Sequence, residues 1–315
     1  EGRSPAEGIE LAERISGDTA VGHTLAYVLA VEDALGIEVD SQARAVRALL
    51  LEAERLYNHV NDLGAIANDV GYGIAHTHTQ RLREHLLRHN KALTGHRLLR
   101  GGISIGGAHL DQSPDLDLIR RTAEEVAEIV AITLDHTVVA DRFTGTAVLT
   151  REQAAHIGTL GYVARACGIP TDARAEHPSE DLGDPFAPVV EQAGDVLARF
   201  QVRAREVAVS AALIEDLTAR IPGRHGSGTA VDPDAVVPDG PTGAPRAGLG
   251  VVEAWRGTLV HRVELSGSGT LARVRAVDPS FFNWPALPAA LTDTIVPDFP
   301  LANKSFNQSY AGNDL

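Results

Sequence analysis

The chain contains no methionine and only one cysteine, Cys167, among 315 residues. A lone thiol excludes an intrachain disulfide, a cysteine-rich zinc site or a four-cysteine iron–sulfur cluster made by this chain alone. It also fits a reducing compartment. Long apolar runs are missing too. His23, Glu32 and Asp33 interrupt one candidate, and Glu128 and Asp135 another, so none reaches the roughly 18 residues of a membrane span. Positive charge is scarce: 28 Lys and Arg face 42 Asp and Glu, a net charge of −14. That balance argues against a nucleic-acid partner, which requires a basic face to displace counterions. Residues 1–30 lack a basic segment followed by an apolar block, so no signal peptide is expected. The start at Glu1, without an initiator, reads as a fragment.

The 44% of apolar residues is enough for a large core, and at roughly 150 residues per domain the length suggests two domains or one large one. Through residue 221 the chain reads as successive helices. With Ser41 as N-cap, Val46, Leu49, Ala53, Leu56, Val60, Leu63 and Ala67 recur at three-to-four spacing and form one buried stripe. Similar stripes run through Leu116, Ile119, Val126, Ile129 and Thr133, and through Val189, Val196, Phe200, Val207, Ile214 and Leu217. Residues 20–35, 77–96 and 151–166 read as further helices. Such helices with short connections predict a mainly α, helical-bundle core over 1–221.

The pattern changes at Pro222. Eleven of the 27 residues in 222–248 are Gly or Pro, so 222–249 reads as an exposed loop. A small antiparallel β insertion is expected over 250–278, with strands at 251–254, 258–263 and 270–277 and a tight turn at Gly267-Ser268-Gly269. Residues 279–315 should add a short helix at 285–293 and a tail packed back on the core.

Three local features invite chemistry. Residues 76–100 carry His76, His78, His85, His89 and His96, with six Lys or Arg and the single acid Glu84. His85 and His89 would share a helix face, yet no carboxylate is spaced to complete a metal site. The tract reads as a solvated face or a partner-facing basic patch. Gly101–Gly107 lacks the Lys-Ser/Thr ending of a phosphate loop and reads as a flexible link. Cys167, before Gly168-Ile169-Pro170, reads as a structural thiol.

The ordered motifs carry more. Glu13-Arg14-Ile15-Ser16-Gly17-Asp18-Thr19-Ala20 leads into Ala26-Tyr27-Val28-Leu29-Ala30-Val31-Glu32. Glu54-Arg55-Leu56-Tyr57-Asn58-His59, Asn68-Asp69-Val70-Gly71 and Leu93-Thr94-Gly95-His96-Arg97 follow. Val252-Glu253-Ala254-Trp255-Arg256-Gly257, Asp278-Pro279-Ser280-Phe281 and Asn283-Trp284-Pro285 complete the series. The set resembles large subunits of nickel–iron hydrogenases and their relative in NADH-quinone oxidoreductase (complex I). It is nearest to the large subunits of formate-hydrogenlyase-like, energy-converting complexes.

The resemblance implies a hydrogenase-large-subunit fold and the large-subunit position in a membrane-associated, complex I-like or hydrogenase-related oxidoreductase complex. It brings quinone binding and NAD binding as family-level descriptors. In nickel-bearing members, two thiolates come from Arg-Ile-Cys-Gly-x-Cys and two from a C-terminal Cys-x-x-Cys. Here those positions carry Ser16, Thr19, Ser309 and Gly312, so no nickel–iron site and no hydrogen activation are expected. In the complex I relative the old metal pocket became part of a quinone cavity beside an iron–sulfur cluster on a neighbouring subunit. By that analogy Arg14, Asp18, His23, His59 and Arg256 are candidate cavity residues, with no cofactor held by this chain itself. The family's N-terminal β-rich portion, which contributes to the quinone site, does not show in this sequence. The implied partners are an iron–sulfur small subunit and membrane subunits that hold the chain peripherally on the cytoplasmic face. The alternative is a non-catalytic scaffold. A formate-hydrogenlyase catalytic subunit would need the four thiolates.

Overall fold

The computed structural model describes residues 1–183, 186–221 and 243–315. Most of the stretch read as a loop, 222–249, lies outside the described residues. The elements are α1 (Pro5–Ala12), α2 (Ala20–Leu35), α3 (Ser41–Asn68), α4 (Gly73–Thr94), β1 (Ile103–Ser104), β2 (Gly107–Ala108), α5 (Leu116–Asp135), α6 (Thr137–Phe143), α7 (Arg151–Ile157), α8 (Gly161–Ala166), α9 (Ala173–Glu176) and α10 (Val196–Arg220). There follow β3 (Arg246–Ala254), β4 (Gly257–Leu265), β5 (Leu271–Val277), α11 (Pro279–Asn283), α12 (Ala286–Ala290), a 3-10 turn (Val296–Asp298), α13 (Phe299–Phe306) and α14 (Tyr310–Asn313). The mainly α architecture with small antiparallel sheets is the fold class that the sequence predicts.

The layers are set by burial. Helix α3 packs between α4 and α10, while α2 lies across the three-stranded antiparallel sheet β3-β4-β5. Helix α2 is apolar on nearly every side and correspondingly buried on nearly every side. It meets the sheet backbone to backbone. A Cβ on Gly248 would lie 2.1 Å from the Ala30 carbonyl oxygen, and one on Gly250 would lie 2.0 Å from that of Ala26. Glycine at alternate strand positions is what allows the approach.

Several boundaries differ from the sequence reading, each for a local reason. Asp40, not Ser41, caps α3, and its carboxylate accepts from the Ala43 amide. The stretch 151–166 is two helices, because Gly158 ends α7 in the left-handed region. Strand β3 begins at Arg246, inside the expected loop. The Gly101–Gly107 tract is a small hairpin rather than a loose link. Its Gly106 amide donates to buried Glu32, and a Cβ on Gly102 would press on Leu50 and Thr94. Cys167 is buried, its thiol donating to the Val163 carbonyl, and burial pushes its pKa up to about 11.

Candidate functional site

The site is organised by the turn between β3 and β4. Ala254 pairs with Gly257, leaving Trp255 and Arg256 as a two-residue hairpin tip. Such tips favour glycine and asparagine with positive φ, yet neither residue adopts one. Packing holds the turn instead. Trp255 is 1% and Arg256 4% exposed, and the tip presses on the start of α8, where a Cβ on Gly161 would sit 1.9 Å from the Arg256 carbonyl oxygen.

From this position the Arg256 guanidinium reaches two distant segments. It donates to both carboxylate oxygens of Asp18, at 2.8 and 2.7 Å, and through Nε to the Asn307 carbonyl at 2.7 Å. Its plane lies 3.9 Å over the Trp255 ring, whose Nε1 donates to the Asp18 carbonyl. Burial alone would raise the Asp18 pKa. The Arg256 charge and the hydrogen bonds from Arg256, Ser16 and Thr19 outweigh it and hold the carboxyl at about 2. Burial likewise works against the Arg256 charge, and Asp18 keeps it protonated.

The four positions that the resemblance pairs with nickel ligands converge here. Ser16 Oγ donates to Asp18 at 2.8 Å and lies 3.5 Å from Ser309 Oγ, across 293 residues of chain. Thr19 Oγ1 donates to Asp18 at 3.1 Å. Ser309 Oγ accepts from the Gly312 amide as the cap of α14. All four are buried. This donor set does not fit nickel. Hydroxyls are hard and stay protonated, whereas that site is built from soft thiolates. There is no room for a side chain at Gly312 either, where a Cβ would lie 2.5 Å from Asp278 Cγ.

The candidate cavity residues separate into four settings. Asp18 and Arg256 form the central pair. Arg14 is not among them: it is exposed and paired with Glu10 at 2.5 Å, in the turn that follows α1. His23 is fully buried beneath the Gly312 segment, its Nδ1 3.1 Å from His261 Nε2 and its Nε2 3.4 Å from Asp278. Burial, then the His23 charge, pushes His261 down to about 3. His59 is also buried and contacts Glu206 at 2.6 Å. Burial lowers its pKa despite that carboxylate, and its ring meets Trp255 and Tyr162 edge-on.

Sequence reading missed Glu54, which accepts the Val21 and Gly22 amides at 2.7 and 3.0 Å and so caps α2 from another helix. Burial raises it to about 8 even against those two amides. It also missed a buried cluster around Arg165, Glu206 and Glu253. The signal was present: Val196, Arg199, Arg203, Glu206, Ser210, Leu213 and Leu217 keep a helical three-to-four spacing and are all buried. Charges on an apolar stripe must be paired inside.

In the basic tract, His89 Nε2 accepts the Asp115 amide while His85 is exposed. Arg88 and Arg97 share Glu84, and Arg81 pairs with Glu125.

Comparison with known proteins places this arrangement. The family described as respiratory-chain NADH dehydrogenase, 49 Kd subunit, matches residues 69–242, and the nickel-dependent hydrogenase family matches residues 1–62. Formate hydrogenlyase subunit 5 of Escherichia coli (strain K12) is 32% identical over 96% of this chain and 53% of its own length. Membrane-bound hydrogenase subunit alpha of Pyrococcus furiosus is 30% identical over 96% of this chain and 74% of its own. The chain spans about half the length of the two Escherichia coli relatives it matches. A chain of the membrane-bound sulfane sulfur reductase, an archaeal respiratory membrane complex, superposes with a TM-score of 0.84 at 24% identity, covering 99% of this chain and 86% of that one. This likeness shows a shared fold. The chain belongs to the family of the 49 kDa subunit of respiratory-chain NADH dehydrogenase, relatives of the nickel-dependent hydrogenases.

Proposed function

We propose that the chain takes the large-subunit position in a membrane-associated, complex I-like oxidoreductase complex. In this reading a partner small subunit carries the iron–sulfur cluster that brings electrons to the edge of the Asp18–Arg256 pair. A quinone-type acceptor is the substrate class we favour there. The observation that carries the reading is the convergence of both former ligand loops on one ion pair, whose Asp18 side chain remains 40% exposed while its partner is buried. A carboxylate at such an edge can accept hydrogen bonds from an approaching acceptor or orient its proton.

The surroundings support a subunit that works in company. The segment bearing Ser309 and Gly312 exposes Phe281, Val296, Phe299 and Tyr310, side chains that an associated subunit would cover. No helix among the described residues is long and apolar enough to cross a membrane. In the proposed arrangement, partner subunits hold the chain on the cytoplasmic face. The quinone reading is preferred to NAD binding by this chain, because the Gly101–Gly107 tract is a hairpin whose Gly106 amide is already engaged.

One observation favours the second reading, a non-catalytic scaffold. The Ser16 and Thr19 hydroxyls donate to Asp18 and Ser16 Oγ meets Ser309 Oγ, filling the space between the loops with the chain's own polar groups. Asp18→Asn separates the two. It keeps the shape and removes the charge, so the reductase reading expects an assembled complex with at least tenfold less electron transfer to quinone. Unchanged turnover in that complex would leave the scaffold.

A further inference from the structure

Between α3, α8, α9, α10 and β3 lies a set of buried charges. Arg165 contacts Glu206 at 2.8 Å, Glu253 at 2.7 Å and Asp172 at 3.3 Å. Arg174 contacts Asp172 at 2.7 Å and Glu52 at 3.0 Å. Arg55 contacts Glu52 at 3.3 Å and Glu206 at 3.9 Å. Among the described residues, three guanidiniums therefore meet four carboxylates, all buried. The adjoining Arg203 is already matched by Asp62 at 3.0 Å, so it does not balance the set. An unmatched charge in such surroundings is costly, and a bound proton removes it.

We propose that this cluster is a proton-binding site, holding one exchangeable proton on Glu253 that reaches solvent through the Thr258 hydroxyl. Position on the contact map selects Glu253. Glu52, Asp172 and Glu206 each face two or three guanidiniums, whereas Glu253 faces Arg165 alone. Its other oxygen meets Thr258 Oγ1 at 2.8 Å and the Ala173 amide at 3.1 Å. A hydroxyl can donate to a carboxylate or accept from a carboxylic acid, so Thr258 serves either state. Thr258 is also only half-buried, which makes it the outward step. The titration directions agree. Burial and the Asp172 charge raise Glu253 against the pull of Arg165. In Glu52, Asp172 and Glu206 the arginines outweigh burial and hold the carboxyls low.

The inner side of the cluster faces the site. His59 contacts Glu206 through Nε2, while its buried Nδ1 has no hydrogen-bond partner. The imidazole is thus a second acceptor, set against Trp255 in the turn that presents Arg256. The charge count stands whether or not the oxidoreductase reading does.

Infrared spectroscopy of the purified full chain tests it. At neutral pH a protonated-carboxyl carbonyl band that shifts in D2O is expected, and Glu253→Gln should remove it while leaving a folded protein. Glu54→Gln should remove a separate band of its own, since that buried carboxyl is also raised. Thr258→Val should slow the deuterium shift of the Glu253 band. Glu52→Gln should abolish the band with Glu253 intact, because the surplus carboxylate is then gone. With Glu54 also replaced by glutamine, a protonated-carboxyl band surviving Glu253→Gln, or Glu253→Gln alone failing to fold, overturns the proposal, since glutamine is close in shape to a neutral carboxyl.

Discussion

The Asp18 carboxylate and the Arg256 guanidinium, 238 residues apart in the chain, form a two-point ion pair at 2.7 and 2.8 Å. It ties the loop after α1 to the tip of the β3–β4 hairpin, and through Asn307 to the C-terminal segment. Two side chains and three hydroxyls make this connection.

Removing one member strands the other. Asp18→Ala leaves Arg256 buried with only neutral partners, and an expected loss of about 1–3 kcal/mol follows, reduced from the fully buried case because the carboxylate is partly solvated. The pH dependence has a fixed sign. A carboxyl depressed in the folded state contributes stability above its unfolded pKa and loses it as pH falls through the folded one. Denaturant midpoints should drop between about pH 4 and about pH 2, and Asp18→Asn should flatten that part of the curve.

Arg165 gives a larger effect. Arg165→Ala removes the cation shared by Glu206, Glu253 and Asp172, and a loss of about 3–5 kcal/mol is expected in urea unfolding. A loss below about 1 kcal/mol, typical of a surface pair, would mean that water reaches the cluster.

Two glycines test packing directly. Gly250→Ala places a methyl against the Ala26 carbonyl and should cost roughly 1–3 kcal/mol or more by forcing α2 off the sheet. Gly312→Cys should destabilise comparably by displacing Asp278, and restoring all four cysteines should not by itself create hydrogenase activity. Thermal unfolding compares the variants with the parent chain.

Much of this architecture is readable from sequence. The stripes of α3, α5 and α10 follow a 3.6-residue period, which burial on one face imposes. The approach of Ser16 to Ser309 followed from resemblance, not from periodicity, because no local pattern connects positions 293 residues apart. Arg14 lies apart from the Asp18–Arg256 pair, since motif membership does not say which way a side chain leaves its turn. The buried charges of α10 were hidden because Arg199, Arg203 and Glu206 look like a solvated helix face until their spacing is set against Val196 and Leu213. The two-residue turn at Trp255 and Arg256 lacks the usual turn residues, so only tertiary packing defines it.

The basic tract is proposed as a docking face for an acidic partner surface. Arg88→Glu with Lys91→Glu should weaken assembly, and the difference from the parent chain should shrink as salt rises. Arg97 still holds Glu84 in that variant, so the helix should stay folded, as circular dichroism can check. Equal assembly with both reversed would leave the tract a solvated face.

The most direct test is metal analysis of the native complex, purified through this chain with its partner subunits attached. The account predicts iron, contributed by a partner, with nickel far below stoichiometric, because Ser16, Thr19, Ser309 and Gly312 offer no thiolate. About one nickel per chain would contradict it.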